Sequence, residues 1–181
     1  MDNGHLAHVA HQLVDAMDKQ ADNLLPYRIA DIVKLHSKLA VGSAWIPVPG
    51  ADIAASAATI WTMYGRINSA LGLSLKENLG KTIASGVVTN LASYFAVAGF
   101  GSIIKVLPGI GTVGGAVLMS ATLYASTIAS GWVYLKALCL LAETYGSQID
   151  MSQLGNAVQT VLTDSASIKK VIKEAKNDYK R

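Results

Sequence analysis

One run of residues has the types and spacing of a known chemistry: Gly109-Ile110-Gly111-Thr112-Val113-Gly114 spells the dinucleotide-binding fingerprint. That fingerprint seats a pyrophosphate at a strand-to-helix turn, with a carboxylate about 20 residues on to hold the ribose. No Asp or Glu lies between Glu77 and Glu143, and no strand–helix alternation surrounds the glycines. They suit a turn and close helix packing better. A phosphate loop ending in Gly-Lys-Ser/Thr is absent, so the chain is not itself a GTPase or ATPase of that class. His5, His8 and His11 suggest a metal, yet His5 and His11 lie about 120° apart around a helix and cannot converge on one ion. His8, His11 and Asp15 align better but lack a fourth ligand. His36 stands beside Ser37 with no acid placed to complete a triad. Cys139, in Ala137-Leu138-Cys139-Leu140-Leu141, has an apolar setting of the kind that leaves a thiol inert. The sequence therefore predicts no enzyme, no cofactor and no metal site.

The basic tail is a different kind of candidate. Lys169, Lys170, Lys173, Lys176, Lys180 and Arg181 stand against Glu174 and Asp178, a net +4 on an amphipathic stretch. Such a helix can lie on an anionic leaflet, or it can be an ordinary solvated helix end.

The elements that must position these residues come from a repeat. Gly42-Ser43 is followed by Pro49-Gly50, and Gly101-Ser102 by Pro108-Gly109, so one offset of 59 residues superimposes both breaks. Pro removes an N–H donor and Gly accepts φ > 0, so each pair ends one helix and lets the chain reverse. Helical periodicity marks residues 5–22, a helix from Pro26 to Ile46, one from Ala51 to Ala70, one from Ser74 to about Val106, one from Thr112 to Tyr145, and a last amphipathic stretch from Leu154. Ser74 with Glu77 three positions on reads as a capping box. The prediction is an all-α bundle of about six helices around two related helix–Pro-Gly–helix hairpins. It divides into an N-terminal amphipathic helix (1–25), a double-hairpin domain (26–145) and a basic C-terminal helix (146–181).

Charge is scarce and segregated. Only 15% of the 181 residues are charged, against roughly 25% in typical soluble domains. Residues 1–38 and 143–181 hold 20 of the 27 charged side chains, while 82–135 carry only Lys105. A net charge of +3 is too small and too terminal to point to nucleic acid. One cysteine rules out an intramolecular disulfide, and the first twenty residues, with Asp2, Asp15 and Asp18, do not read as a secretory signal. The uncharged stretch 82–104 gives about 34 Å of helix at ~1.5 Å per residue, enough for a ~30 Å hydrocarbon core. Residues 106–135 are long enough too, so the second hairpin can span a bilayer, whereas Leu39 to Ile46 is too short. Trp45, Trp61, Trp132 and Tyr134 sit where interfacial belts would put them. Gly111, Gly115, Ala121, Ala125 and Ala129 form small-residue faces that let helices approach closely, within the protomer or between protomers. The alternative is a soluble bundle with an Ala/Gly-rich central hairpin.

The residues at both breaks resemble a known family. Trp45-Ile46-Pro47-Val48-Pro49-Gly50-Ala51-Asp52 and Ile104-Lys105-Val106-Leu107-Pro108-Gly109-Ile110-Gly111-Thr112-Val113-Gly114-Gly115-Ala116 resemble the paired elements of the YcjF-like domain of bacterial proteins, over roughly residues 30–140. The resemblance implies a helical module of the cytoplasmic (inner) membrane, often fused to or encoded beside a GTPase domain. This chain carries no such domain, so a GTPase would act in trans. The family supplies no catalytic residues to carry over. The expectation is a non-enzymatic, membrane-associated scaffold or adaptor with both termini in the cytosol. Its expected partners are the lipid bilayer, other copies of itself and a GTPase, but not nucleic acid. The rival expectation is a soluble bundle that self-assembles or inserts conditionally, as a pore-former does.

Overall fold

The computed structural model describes residues 25–43, 51–97, 112–145 and 149–171. Helix α1 (Tyr27–Ser43) opens after Pro26, whose carbonyl accepts the Ile29 and Ala30 N–H groups, both at 2.8 Å. Proline fits there because a helix's first N–H has no internal partner in any case. Helix α2 (Ala51–Leu71) ends at Gly72, the one described residue with positive φ, +68°. The Gly72 N–H donates to Ser69 O at 3.3 Å and the Leu73 N–H to Asn68 O at 2.8 Å, the paired closing bonds of a left-handed glycine cap.

Helix α3 (Glu77–Val97) starts two residues later than the capping box at Ser74 predicts. Its first backbone bond runs from Gly80 N to Lys76 O at 3.0 Å. Glu77 acts from inside the first turn, where a carboxylate opposes the positive end of the helix dipole and pairs with Lys81. The Lys81 ammonium beside it holds Glu77 below the usual carboxylate range. Helix α4 (Thr112–Tyr145) is 34 residues long.

The amphipathic C-terminal stretch is not one helix. A 3-10 turn (Met151–Gln153) leads into α5 (Leu154–Thr163), and a further helix, α6, occupies 165–171. Asp150 caps the turn by accepting from Ser152 N at 2.9 Å. Asp164 makes the second break: its N–H closes α5 on Val161 O while its carboxylate accepts Ser167 N–H at 3.2 Å. Both carboxyls are held below the usual range by those bonds. No strand occurs among the described residues, so the chain folds as an all-α bundle.

Helix directions follow from side-chain register. Tyr64 meets Ser130 and Asn68 meets Tyr134, both at a separation of 66 residues, so α2 and α4 run parallel. Trp61 of α2 lies over Gly80 of α3, which places α3 antiparallel to α2 beyond the Gly72 turn. Val33 of α1 packs on Gly131 of α4. A parallel α1 would leave Ser43 roughly 36 Å from Ala51, and the seven linking residues reach about 28 Å at most. Helices α1 and α3 therefore oppose α2 and α4, and the links across 44–50 and 98–111 leave from the same end. Helix α4 begins about five residues, roughly 7 Å, beyond the start of α2.

One core joins all of this. Helix α4 packs against α1, α2, α3 and α5. Buried side chains include Ile29 and Val33 of α1, Ile60 and Ile67 of α2, Val87 and Leu91 of α3, Ile128 and Leu138 of α4, Val158 of α5 and Ile168 of α6. Residues 154–168 thus share the core of the preceding helices.

Candidate functional site

The centre of the bundle holds a polar cluster between α2 and α4. Tyr64 Oη and Ser130 Oγ share a hydrogen bond at 2.6 Å. Four residues on, Asn68 Nδ2 donates to Tyr64 O at 2.9 Å and to Tyr134 Oη. The Tyr64 and Tyr134 rings stack at 3.9 Å between centroids, 12° from parallel. The spacing of four residues on each helix creates this match, because side chains one turn apart lie on the same face. Asn68 is only 2% exposed, and its Oδ1 has no hydrogen-bond partner among the described residues. A buried orphan acceptor costs about 1–3 kcal/mol. Every member is neutral, and burial raises the pKa of both phenols, so the cluster joins α2 to α4 through uncharged hydrogen bonds and ring stacking.

A second set of buried polar groups lines α1. His36 donates from Nδ1 to Ile32 O at 2.7 Å, because a carbonyl can only accept, and Ser37 Oγ donates to Val33 O at 2.9 Å. Each side chain is satisfied by its own helix, so the pair is not a nucleophile and its base. Burial, with a smaller effect from Arg66, lowers the His36 pKa below its ordinary 6.5 despite the opposing bond to Ile32.

Helix α4 is the apolar element of the fold. Over Leu123–Tyr145, 23 residues, it is long and apolar enough to cross a membrane, and 61% of its 18-residue apolar window is buried in the bundle. It is the one such helix among the described residues. Its inner polar groups are all engaged: Thr127 Oγ1 donates to Leu123 O at 2.8 Å, and Ser130 and Tyr134 bond to α2. Over its described part, the stretch 82–104 has a polar outer face rather than a lipid-like one. Thr82, Ser85, Thr89 and Asn90 are exposed there, with Thr82, Thr89 and Asn90 bonded back to their own helix.

The residues singled out from sequence are placed unevenly. Pro49, Gly50, Pro108, Gly109 and Gly111 lie outside the described residues, as do Trp45, His5, His8, His11, Asp15, Lys173 and Lys176. Gly115 and Ala121 belong to α4, but their side-chain surroundings are likewise outside the described part. Ala125 and Ala129 are buried. Lys169 and Lys170 are exposed on α6, while its Ile168 and Val171 are buried. Thr112, Val113 and Gly114 of the fingerprint form the first turn of α4.

Two readings are corrected. Tyr134 is fully buried and stacked on Tyr64, so it is not an interfacial aromatic; Trp61 is half-buried over Gly80. Cys139 is exposed, because Ala137, Leu138 and Leu141 take the inward side of that turn and rotate it outward with Lys136 and Glu143.

Sequence reasoning missed the described close approaches. A Cβ on Gly131 would stand 2.6 Å from Val33 Cγ2, and one on Gly80 would overlap the Trp61 ring. It also missed the Tyr64–Asn68 and Ser130–Tyr134 pairs. Their signal was two polar pairs at i, i+4 inside apolar helices.

No family model matches the chain, and no solved structure matches it. It is similar to magnetosome membrane protein 22 of Magnetospirillum gryphiswaldense, at 30% identity over 107 residues. The match takes in 59% of this chain, which spans about half, 55%, of that relative's length.

Proposed function

We propose that this chain is a non-enzymatic, membrane-associated helical-hairpin protein that acts as a scaffold or adaptor. The observation that carries this reading is α4, a helix of membrane-crossing length and composition. Its amino end lies at the same end of the bundle as the carboxyl ends of α1 and α3. Similarity to a protein named for a membrane supports the same reading. The resemblance to the YcjF-like domain adds a setting at the inner membrane with cytosolic termini, self-association and a GTPase partner in trans. The basic residues Lys169, Lys170, Lys173 and Lys176 would rest against anionic headgroups.

The burial of α4 favours a second reading: a bundle that keeps α4 sheathed in solution and releases it at a membrane. Fractionation separates the two. An integral protein stays in the membrane pellet through carbonate and high-salt washes. A conditionally inserting bundle is recovered soluble without detergent and becomes wash-resistant only after meeting vesicles. A chain that is soluble and never pellets with vesicles would sink both.

A further inference from the structure

We infer that α2 and α4 form one two-helix unit, held by the Tyr64–Asn68–Ser130–Tyr134 cluster, that stays paired when the rest of the bundle's packing is dissolved by detergent or lipid.

The argument starts from what each contact loses outside water. Apolar packing such as Val33 on Gly131 is driven largely by the exclusion of water. That drive disappears between helices surrounded by hydrocarbon. The α2–α4 contact is different in kind. Ser130 bonds to Tyr64, Tyr134 bonds to Asn68, and the two tyrosine rings stack. Hydrocarbon offers these groups no substitute partner, so separating the helices would cost the Tyr64, Ser130 and Tyr134 hydroxyls their partners, while Asn68 would keep only its bond to Tyr64 O.

Thr127, also buried in this part of α4, bonds to its own helix and does not hold α2. Helix α2 can accompany α4, because no charged residue lies between Asp52 and Arg66. A unit built this way keeps register at some cost, visible in the unpartnered Asn68 Oδ1. The lipid half of the inference rests on the membrane reading; the pairing itself does not.

Amide hydrogen exchange of the full chain in dodecyl maltoside micelles, and separately with phosphatidylglycerol/phosphatidylethanolamine vesicles, tests it. In micelles, α1 amides around Val33 should lose protection, while those of α2 around Tyr64 and α4 around Ser130 stay protected together. Ser130→Ala combined with Tyr134→Phe keeps the ring stack and removes both α4 partners. It should raise α2 exchange in micelles roughly tenfold. If that double variant does not fold in buffer, Ser130→Ala alone supplies the comparison, with a smaller rise expected. Loss of protection in α2 along with α1 while α4 stays protected, or α2 exchange unmoved by the variants, would overturn the pairing. If the micelle result holds but vesicles leave every helix unchanged, the two-helix unit stands and the membrane reading fails.

Discussion

At the scale of single residues, the buried neutral groups make the strongest demands. His36 is tied to Ile32 and lies beneath the bundle surface, so protonating it charges a group that burial has stripped of water. Its folded pKa lies below 6.5, so in the window between the two values the unfolded chain binds more protons. The His36 contribution to stability is therefore complete above the ordinary histidine range and is lost as pH falls through the folded value. The melting temperature is expected to drop between pH 7.5 and 5, with a flatter profile for His36→Gln. An identical slope in the variant would assign that drop elsewhere. Asp150 and Asp164 act in a separate window: their depressed pKa values favour the fold above the ordinary carboxylate value, and that support goes as pH falls below about 3.8. Gly131 answers to space rather than charge. Gly131→Ala places a methyl against Val33 Cγ2 and should cost ~1–3 kcal/mol through overpacking, read as a lower denaturation midpoint. Val33→Ala in the same chain should return part of that loss, since the two changes share one contact.

At the scale of elements, the turn after α2 shows how local chemistry fixes topology. Gly72 at φ +68° lets Leu73 fold back to Asn68 O, and α3 then runs antiparallel against Trp61. Gly72→Ala should cost about 1 kcal/mol, a fall in melting temperature of roughly 2–4 °C at this chain length. Calorimetry decides it, and an unchanged transition would mean the residue leaves φ > 0 at no cost. The helices themselves were largely legible. Ala51 and Leu71 lie within a residue of the expected bounds, and Thr112 to Tyr145 is the expected span, because Pro-Gly and Gly punctuate apolar runs there. Two boundaries were not. The cap moved from Ser74 to Lys76, since the glycine cap of α2 consumes Leu73 and carries the chain past Ser74 before α3 begins. The interruption at Asp164 was hidden because hydrophobic spacing continues on both sides of it. An aspartate that ends one helix and caps the next leaves that spacing intact.

At the scale of the whole molecule, the difficulty was deciding what a charge-free helix is for. Uncharged residues from 106 to 135 read equally well as a lipid span and as the axis of a bundle, since composition reports the absence of water and not what replaces it. The polar cluster was illegible for a related reason. Tyr64, Asn68, Ser130 and Tyr134 carry meaning only once α2 and α4 are set in register by partners 66 residues away. The fold leaves α3 and α4 unequal as lipid-facing candidates, and that asymmetry makes the last prediction. On α4, Val117→Asp puts a carboxylate into the uncharged amino-terminal half of the helix, and on insertion scales it costs ~2.5–3.5 kcal/mol near a bilayer's centre. On α3, Ser85→Asp adds the same charge to an exposed, already polar face. If α4 enters the membrane from its amino end, carbonate-resistant material should fall roughly 70- to 300-fold for Val117→Asp and change little for Ser85→Asp. Both variants should keep the wild-type far-ultraviolet helix signal, which separates insertion from folding. Equal pellet fractions for the two would place the amino-terminal half of α4 outside the bilayer, and loss confined to Ser85→Asp would make α3 the lipid-facing helix instead.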